Sequence, residues 1–327
     1  MKTAAVSAVS LLIAALALAC SPANVSAGPG DAGIDLAAIE QACADYTYDY
    51  CARLQSCSTT AVQVRYGSTG VCESVENALC LSVGMTPATG ATPEQNEACG
   101  KALGDWSCTD FLVSQNPPPA CQLVTGPLAN GATCAVRSQC QSGYCGFPAG
   151  SACGVCAPAP RPGDSCAETQ CPPSLVCLGS PPRCVAYAQA GAACGASQPC
   201  NDGLTCVGAS ATAAGVCQAS VQSVDLPCSF SGAGCDFSAG LACNAQSGKC
   251  AVARLAQPGQ ACGIVANQLA SCVSGTCPRG MCVANVPLGG ACDLDGGPPC
   301  IGATRCILSV DGGAGGTCQL NGASTCP

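Results

Sequence analysis

Apolar positions between residues 34 and 121 recur at helical spacing. Ile39, Cys43, Tyr46, Tyr50, Leu54 and Cys57 follow at steps of four, three, four, four and three, which puts them on one face of an α-helix. A second helix is predicted from about Ser68 to Cys80, with Cys72, Val75, Leu79 and Cys80 on one side. A third opens at Thr92-Pro93-Glu94-Gln95. Thr92 can cap it, Pro93 suits the first helical position and Gln95 completes a capping box. Cys99, Leu103 and Trp106 then share a face, although Gly100 and Gly104 weaken the helix interior. Asn116-Pro117-Pro118-Pro119 closes the region as an extended stretch.

Beyond Cys121 the helical period stops. Residues 122–327 carry short apolar arms around cysteines, such as Thr205-Cys206-Val207 and Val216-Cys217-Gln218, which read as the two sides of a small hairpin. The pattern repeats. Leading cysteines fall at Cys134, Cys166, Cys194, Cys228, Cys262 and Cys292, at spacings of 32, 28, 34, 34 and 30. The four middle segments hold four cysteines each: Cys166, Cys171, Cys177, Cys184; Cys194, Cys200, Cys206, Cys217; Cys228, Cys235, Cys243, Cys250; and Cys262, Cys272, Cys277, Cys282. The first holds Cys134, Cys140, Cys145, Cys153 and Cys156, and the last holds Cys292, Cys300, Cys306, Cys318 and Cys326. Gly131, Gly163, Gly191, Gly259 and Gly289 stand three residues before five of the leading cysteines.

Upstream of both regions, Lys2 is the only charged side chain before residue 31, and Ala4 to Ala19 are apolar or small. Sixteen such residues are short for a membrane span and suit a signal peptide, residues 1–19. Leu16-Ala17-Leu18-Ala19-Cys20-Ser21 resembles a bacterial lipobox, with Ala17 where that motif usually has Leu. The resemblance implies that Cys20 is lipidated and becomes the mature N-terminus, with Ser21 implying outer-membrane sorting. The alternative is a plain secretory signal cleaved before Cys20 or after Ala27. Residues 20–33 then form a lipidated cysteine and flexible tether.

Composition changes the picture most through sulfur. Cys numbers 35 in 327 residues, while Leu, Ile, Val and Phe together reach only about 17%. So thin an apolar content cannot offset chain entropy by burial, and cross-links must substitute. Setting Cys20 aside leaves an even number, which an oxidising compartment favours. The helical region, 34–121, holds eight: Cys43, Cys51, Cys57, Cys72, Cys80, Cys99, Cys108 and Cys121, enough for four bridges of its own. It also carries ten acidic residues against Arg53, Arg65 and Lys101, and the aromatics Tyr46, Tyr48, Tyr50, Tyr66, Trp106 and Phe111. Core filling explains most of these; Tyr48 points off the helix face toward solvent.

His is absent and the net charge is −8. Triad and imidazole chemistry and His-ligated metals are thereby removed, and no cationic surface for nucleic acid exists. We therefore expect no enzyme, no cofactor and no metal. Three further short sequences carry candidate chemistry. Cys153-Gly-Val-Cys156 lacks the setting of a redox pair or a zinc site and reads as structural. Asp293-Leu-Asp295-Gly296-Gly297 opens like a calcium loop, but its twelfth position is Thr304 rather than Glu, so an ordinary turn is expected. Pro278-Arg279-Gly280-Met281, held between Cys277 and Cys282, is either a turn or a protease bait loop.

The repeating unit of 122–327 resembles the Dickkopf N-terminal cysteine-rich region. Gly131-Ala-Thr-Cys134, the pairs Cys140-Gln-Ser-Gly-Tyr-Cys145 and Cys272-Val-Ser-Gly-Thr-Cys277, and the closures Gly154-Val-Cys156, Gly215-Val-Cys217 and Gly280-Met-Cys282 carry the resemblance. It implies an extracellular location; the vertebrate region differs in being a single ten-cysteine copy. The predicted fold is small and disulfide-rich: an α-helical disulfide-bonded N-terminal domain followed by an elongated array of about six short β-hairpin cysteine-rich repeats. In each middle repeat three pairings are open, of which first-to-third with second-to-fourth is favoured. The spare cysteine of the first repeat, Cys153 or Cys156, and the spare Cys326 leave fold-back, local rearrangement or a dimer through Cys326. The expected function is a cell-surface or secreted lipoprotein acting as a protein or glycan interaction module, touching membrane only through its lipid. A structural envelope or coat spacer and a protease inhibitor are the alternatives.

Overall fold

The computed structural model describes residues 35–148, 151–167, 171–172, 175–201, 203–210, 212–229, 234–293, 297–309, 315–321 and 326. The signal segment, Cys20 and the tether lie outside them. Asp35–Pro327 form one compact unit. It has a helical hub and a cysteine-rich array packed against it.

The hub contains α1 (Leu36–Cys57), α2 (Thr59–Arg65), α3 (Thr69–Gly84), α4 (Pro93–Ala102) and α5 (Cys108–Leu112). Every one starts on a side-chain cap. Asp35, Ser58, Ser68, Thr92 and Ser107 accept from the backbone N–H three residues on, at 2.9–3.3 Å. Gln95, expected to complete a capping box, instead donates from Nε2 to the Gln122 carbonyl at 3.0 Å, tying α4 to the segment leaving the hub. The predicted faces point inward: Cys51, Leu54, Val62, Tyr66, Cys72, Cys99, Leu103 and Phe111 form the core. Trp106, Phe111, Tyr50 and Tyr46 run along it, with adjacent ring centroids 5.3, 5.3 and 6.1 Å apart. Gly100, expected to weaken α4, has a packing reason. A Cβ there would lie 3.3 Å from the Tyr46 Cα and 3.1 Å from an Asp49 carboxylate oxygen, so its absence lets α4 approach α1 closely. Four bridges, Cys43–Cys80, Cys51–Cys72, Cys57–Cys108 and Cys99–Cys121, stay within the hub.

The array follows a local rule. Around the third and fourth cysteines the chain makes antiparallel pairs such as Leu204–Val207 with Gly215–Ala219, in the register Thr205↔Gln218, Cys206↔Cys217 and Val207↔Val216. The hairpin anticipated from these arms is therefore present. Opposed cysteines do not bond each other. Cys194 bonds Cys206 and Cys200 bonds Cys217, so two bridges cross over the hairpin. The same first-to-third and second-to-fourth crossing joins Cys166–Cys177 with Cys171–Cys184, Cys228–Cys243 with Cys235–Cys250, and Cys262–Cys277 with Cys272–Cys282. It recurs in the outer segments as Cys134–Cys145 with Cys140–Cys156, and Cys292–Cys306 with Cys300–Cys318.

A backbone clamp accompanies each crossing. Gly131, Gly163, Gly191, Gly259 and Gly289 sit at φ between 78° and 95° and donate N–H to the carbonyls of Cys156, Cys184, Cys217, Cys282 and Cys318 at 2.7–2.8 Å. The same five cysteines donate back to the residue after each glycine. Positive φ is what turns the N–H inward, and glycine reaches it without Cβ conflict. The segment of Cys228 lacks the glycine, yet Asp225 stands there at φ 61° and donates to the Cys250 carbonyl at 2.8 Å. The clamp adds a short lead strand, as where Ala193–Cys194 flanks Gly215–Ala219 in a three-stranded sheet.

The expected elongated array is corrected. Cys153 bonds Cys326, so the first and last segments meet within one chain, the fold-back arrangement. Between them the array lies along the hub. Gly90 donates to the Ser138 carbonyl at 2.9 Å, and Gln139 Nε2 to the Pro87 carbonyl at 2.7 Å. Ser58 Oγ bonds the Ser238 carbonyl, Ser274 N–H donates to the Gln63 carbonyl at 3.0 Å, and Ser82 Oγ donates to the Asn321 carbonyl at 2.5 Å. A Cβ on Gly302 would meet Val75 Cγ1 of α3 at 2.6 Å. The physical reason is that thin segments whose small cores are mostly their own disulfides gain further burial by lying on the hub. Segments also merge: Gln268–Cys272 pairs in parallel with Arg254–Ala256 and joins the hairpin Leu241–Asn244/Lys249–Val252 through Gln268↔Asn244.

The clamp predicts opposite outcomes at equivalent places. Gly191→Ala forces a Cβ into the left-handed region and should cost about 1–2 kcal/mol, whereas Asp225→Gly should leave stability unchanged or raised. Denaturant unfolding with all bridges intact measures both; equal losses would contradict the clamp.

Candidate functional site

The short sequences singled out above part company in the structure. Cys153 and Cys156 bond Cys326 and Cys140 rather than each other, so they form no redox pair. Cys134, Cys140 and Cys145, and equivalent trios in other segments, bring sulfurs within 4.8 Å. That closeness is the crossing of two disulfides, and an oxidised sulfur lacks the thiolate that zinc requires. Of the calcium-like loop, residues 294–296 lie outside the described residues, while Thr304 Oγ1 donates to the Ile301 carbonyl at 2.6 Å. Arg279 sits at φ 55°, ψ 30°. This tight left-handed turn differs from the extended main chain by which proteases hold substrates, and it counts against a bait loop. Tyr48 is 64% exposed, as its position off the helix face requires.

The larger of two clefts among the described residues is one that no local sequence feature announced. A groove of about 800 Å³ runs between the hub and the segments of Cys194 and Cys228. One wall is Ala61, Val64 and Arg65 of α2 with Thr109, Leu112 and Val113; the other is Asn201, Gly203–Thr205, Ala219, Ser220, Gln222 and Asp236–Ala239. The volume lies within the range of ligand-binding clefts. Among the described residues its charged linings are Asp236 and Arg65. Asp236 is buried and accepts from Ser238 N–H, Ser238 Oγ and Ala239 N–H at 2.9, 2.5 and 3.3 Å, so its carboxylate builds the wall. Arg65 is exposed at the groove and donates to the Leu112 carbonyl at 3.4 Å, and it also hydrogen-bonds the Tyr50 side chain and acts by its charge on Glu76, so it faces both the groove and the hub interior. Hydroxyls and amides of Thr205, Ser220, Asn201 and Gln222 supply neutral polar groups beside Leu204 and Val64. The Cys57–Cys108 bridge lines one end.

A smaller cleft of about 250 Å³ lies between Tyr46, Glu76, Leu79 and Val83 of the hub and Val136–Ser138 of the first segment. Glu76 is its unusual member. Tyr66 Oη donates to Glu76 Oε1 at 2.6 Å. Burial raises the Glu76 carboxyl above its ordinary value of 4.5, while the Tyr66 hydrogen bond and the nearby Arg65 charge pull the other way. Burial likewise raises the Tyr46, Tyr50 and Tyr66 hydroxyls, and the Glu76 charge adds to each. Glu76 was overlooked in the sequence although it lies four residues after Cys72 and three before Leu79, on the predicted inner face of α3. The groove had no such signal, since its walls come from stretches far apart in sequence, residues 57–113 on one side and 200–239 on the other.

Comparison with protein-family models, with curated proteins and with solved structures finds no match.

The raised Glu76 carboxyl makes stability depend on pH. Folding favours its protonated form, so this contribution is intact below about pH 4.5 and is lost as pH rises through the folded-state value. Glu76→Gln keeps an acceptor for Tyr66 and removes the titration. The variant should match the native chain at pH 4 and exceed it at pH 7 in denaturant unfolding; a native chain that gains stability over the variant on the same climb would contradict the assignment.

Proposed function

We propose that this chain is an exported interaction protein, lipid-anchored through Cys20, whose hub and array together present a groove to a protein or glycan at the cell surface. The observation that carries the reading is the groove itself: about 800 Å³, lined by neutral hydrogen-bonding groups, with the exposed Arg65 on one wall and the buried Asp236 on the other. An exported setting suits the 17 bridges among the described residues. No helix among those residues is long and apolar enough to cross a membrane. The lipobox-like Leu16–Ser21 supports attachment by lipid, and Ser21 supports the outer membrane as its destination. The recurring clamp and crossed bridges support reading the array as six copies of one unit, similar to the Dickkopf cysteine-rich region. A coat spacer is less well supported, because joining Cys153 to Cys326 removes the reach that a spacer needs.

Two measurements test this reading. Thr109→Trp and Ala239→Trp narrow the groove from opposite walls at exposed positions. Together they should weaken capture of a surface ligand at least tenfold, with Tyr48→Ala, away from the groove, as the unaffected control. Equal capture by all three would remove the groove from the account. Separately, Cys20→Ser should release the protein from the membrane fraction or block its processing; a membrane-bound variant with unchanged processing would eliminate the lipid anchor.

A further inference from the structure

The closure of the array depends on one covalent bond unlike the others. Cys153–Cys326 spans 173 residues, whereas every other described bridge spans between 10 and 51. In fifteen of the 17 bridges at least one cysteine is buried; in Cys153–Cys326 neither is, a property shared only with Cys57–Cys108 of the hub. Neither cysteine is fully covered, so the bond is only partly shielded from an attacking thiolate.

What surrounds the bond makes its loss a local event. Each segment that it joins is already held by its own crossing, Cys134–Cys145 with Cys140–Cys156 on one side and Cys292–Cys306 with Cys300–Cys318 on the other. Each also keeps a separate hold on the hub, Ser138 through Gly90 and Asn321 through Ser82. Among the described residues, Arg305 makes the side-chain contact that crosses the seam beside the bond. The Arg305 guanidinium lies 4.4 Å over the Phe147 ring and donates to the Pro148 carbonyl at 3.2 Å. The guanidinium is partly desolvated there and its Nη1 is buried without a hydrogen-bond partner, so the attraction to the ring is offset by the cost of an unsatisfied buried donor. Cys57–Cys108, by contrast, fastens two helices whose residues pack into the hub core.

We propose that Cys153–Cys326 is a redox-sensitive clasp: its reduction opens the seam between the first and last segments while the hub and every segment stay folded. The co-reactant is a dithiol. One thiolate attacks either sulfur and forms a mixed disulfide, releasing the other cysteine. The second thiolate then displaces the protein sulfur. Cys153 and Cys326 end as thiols, having gained two electrons and two protons, and the dithiol ends as a disulfide. Opening frees the Phe147 ring and the Arg305 guanidinium from each other.

The test exposes the full chain to low dithiothreitol, traps thiols with iodoacetamide at intervals and maps the alkylated peptides. Cys153 and Cys326 should be modified at least tenfold faster than any other pair. Amide exchange should then accelerate around Phe147 and Arg305 and stay slow in the hairpins and hub. The oxidised double variant Cys153→Ser/Cys326→Ser should show the same exchange pattern without reductant and still unfold cooperatively. Opening of any other pair at a comparable rate, Cys57–Cys108 included, would overturn the clasp. So would unchanged exchange at the seam, or a double variant that loses its hairpins.

Discussion

Two disulfides crossing over a hairpin are the constraint from which the rest of the molecule follows. Each crossing closes loops of 10–18 residues in the array, and in the chain-entropy treatment a loop of that length stabilises by about 3 kcal/mol. A segment with two such bridges needs almost no hydrophobic core, which explains how so many Gly, Pro and Ser residues can be accommodated. The crossing also demands that the chain return on itself just before the leading cysteine. That demand is met by the positive-φ residue and its paired hydrogen bonds with the last cysteine of the crossing. Sulfur and backbone therefore act together: the bridges restrict the unfolded chain, and the clamp satisfies polar groups that a thin segment cannot hide.

Segments built this way have little interior, and their faces remain available for burial. The hub supplies the surface against which they pack. Its own core is conventional, with Leu54, Val62, Leu103 and Phe111 closed in by helices and four bridges. Contacts from the segments of Cys134, Cys228, Cys262 and Cys292 fall on α2, α3 and the turn between α3 and α4. Where the packing is incomplete it leaves the groove beside Arg65 and the cleft over Glu76. Both clefts are products of assembly, and neither belongs to the hub or to a segment alone.

This explains which features the sequence announced. The faces of α1 and α3 were legible because they repeat over several turns, and the hairpin arms at Cys206 and Cys217 because alternation and turn residues are local. The face expected of the third helix holds only in part: Cys99 lies in α4, which ends at Ala102, while Leu103 opens a 3-10 turn and Trp106 follows it. Helices α2 and α5, of seven and five residues, are too short for a period and were not legible. Asp225 was missed as an equivalent of the spaced glycines because its role is a backbone angle rather than a side chain. Gly100 looked like a defect until the approach of α1 gave it a purpose. The curvature of the array had no local signature at all. Parity of the cysteines required Cys326 to find a partner, but only the packing of segments on the hub brings it to Cys153.

The pairing of cysteines tests this account most directly. Non-reducing peptide mapping of the monomeric, natively oxidised protein should recover the crossed pairs in every segment, and a peptide of Cys326 joined to one of Cys153 from the same chain. A Cys153–Cys156 pair, a free Cys326 thiol, or a Cys326 bridge between two chains would contradict the closed array on which the groove and the clasp both rest.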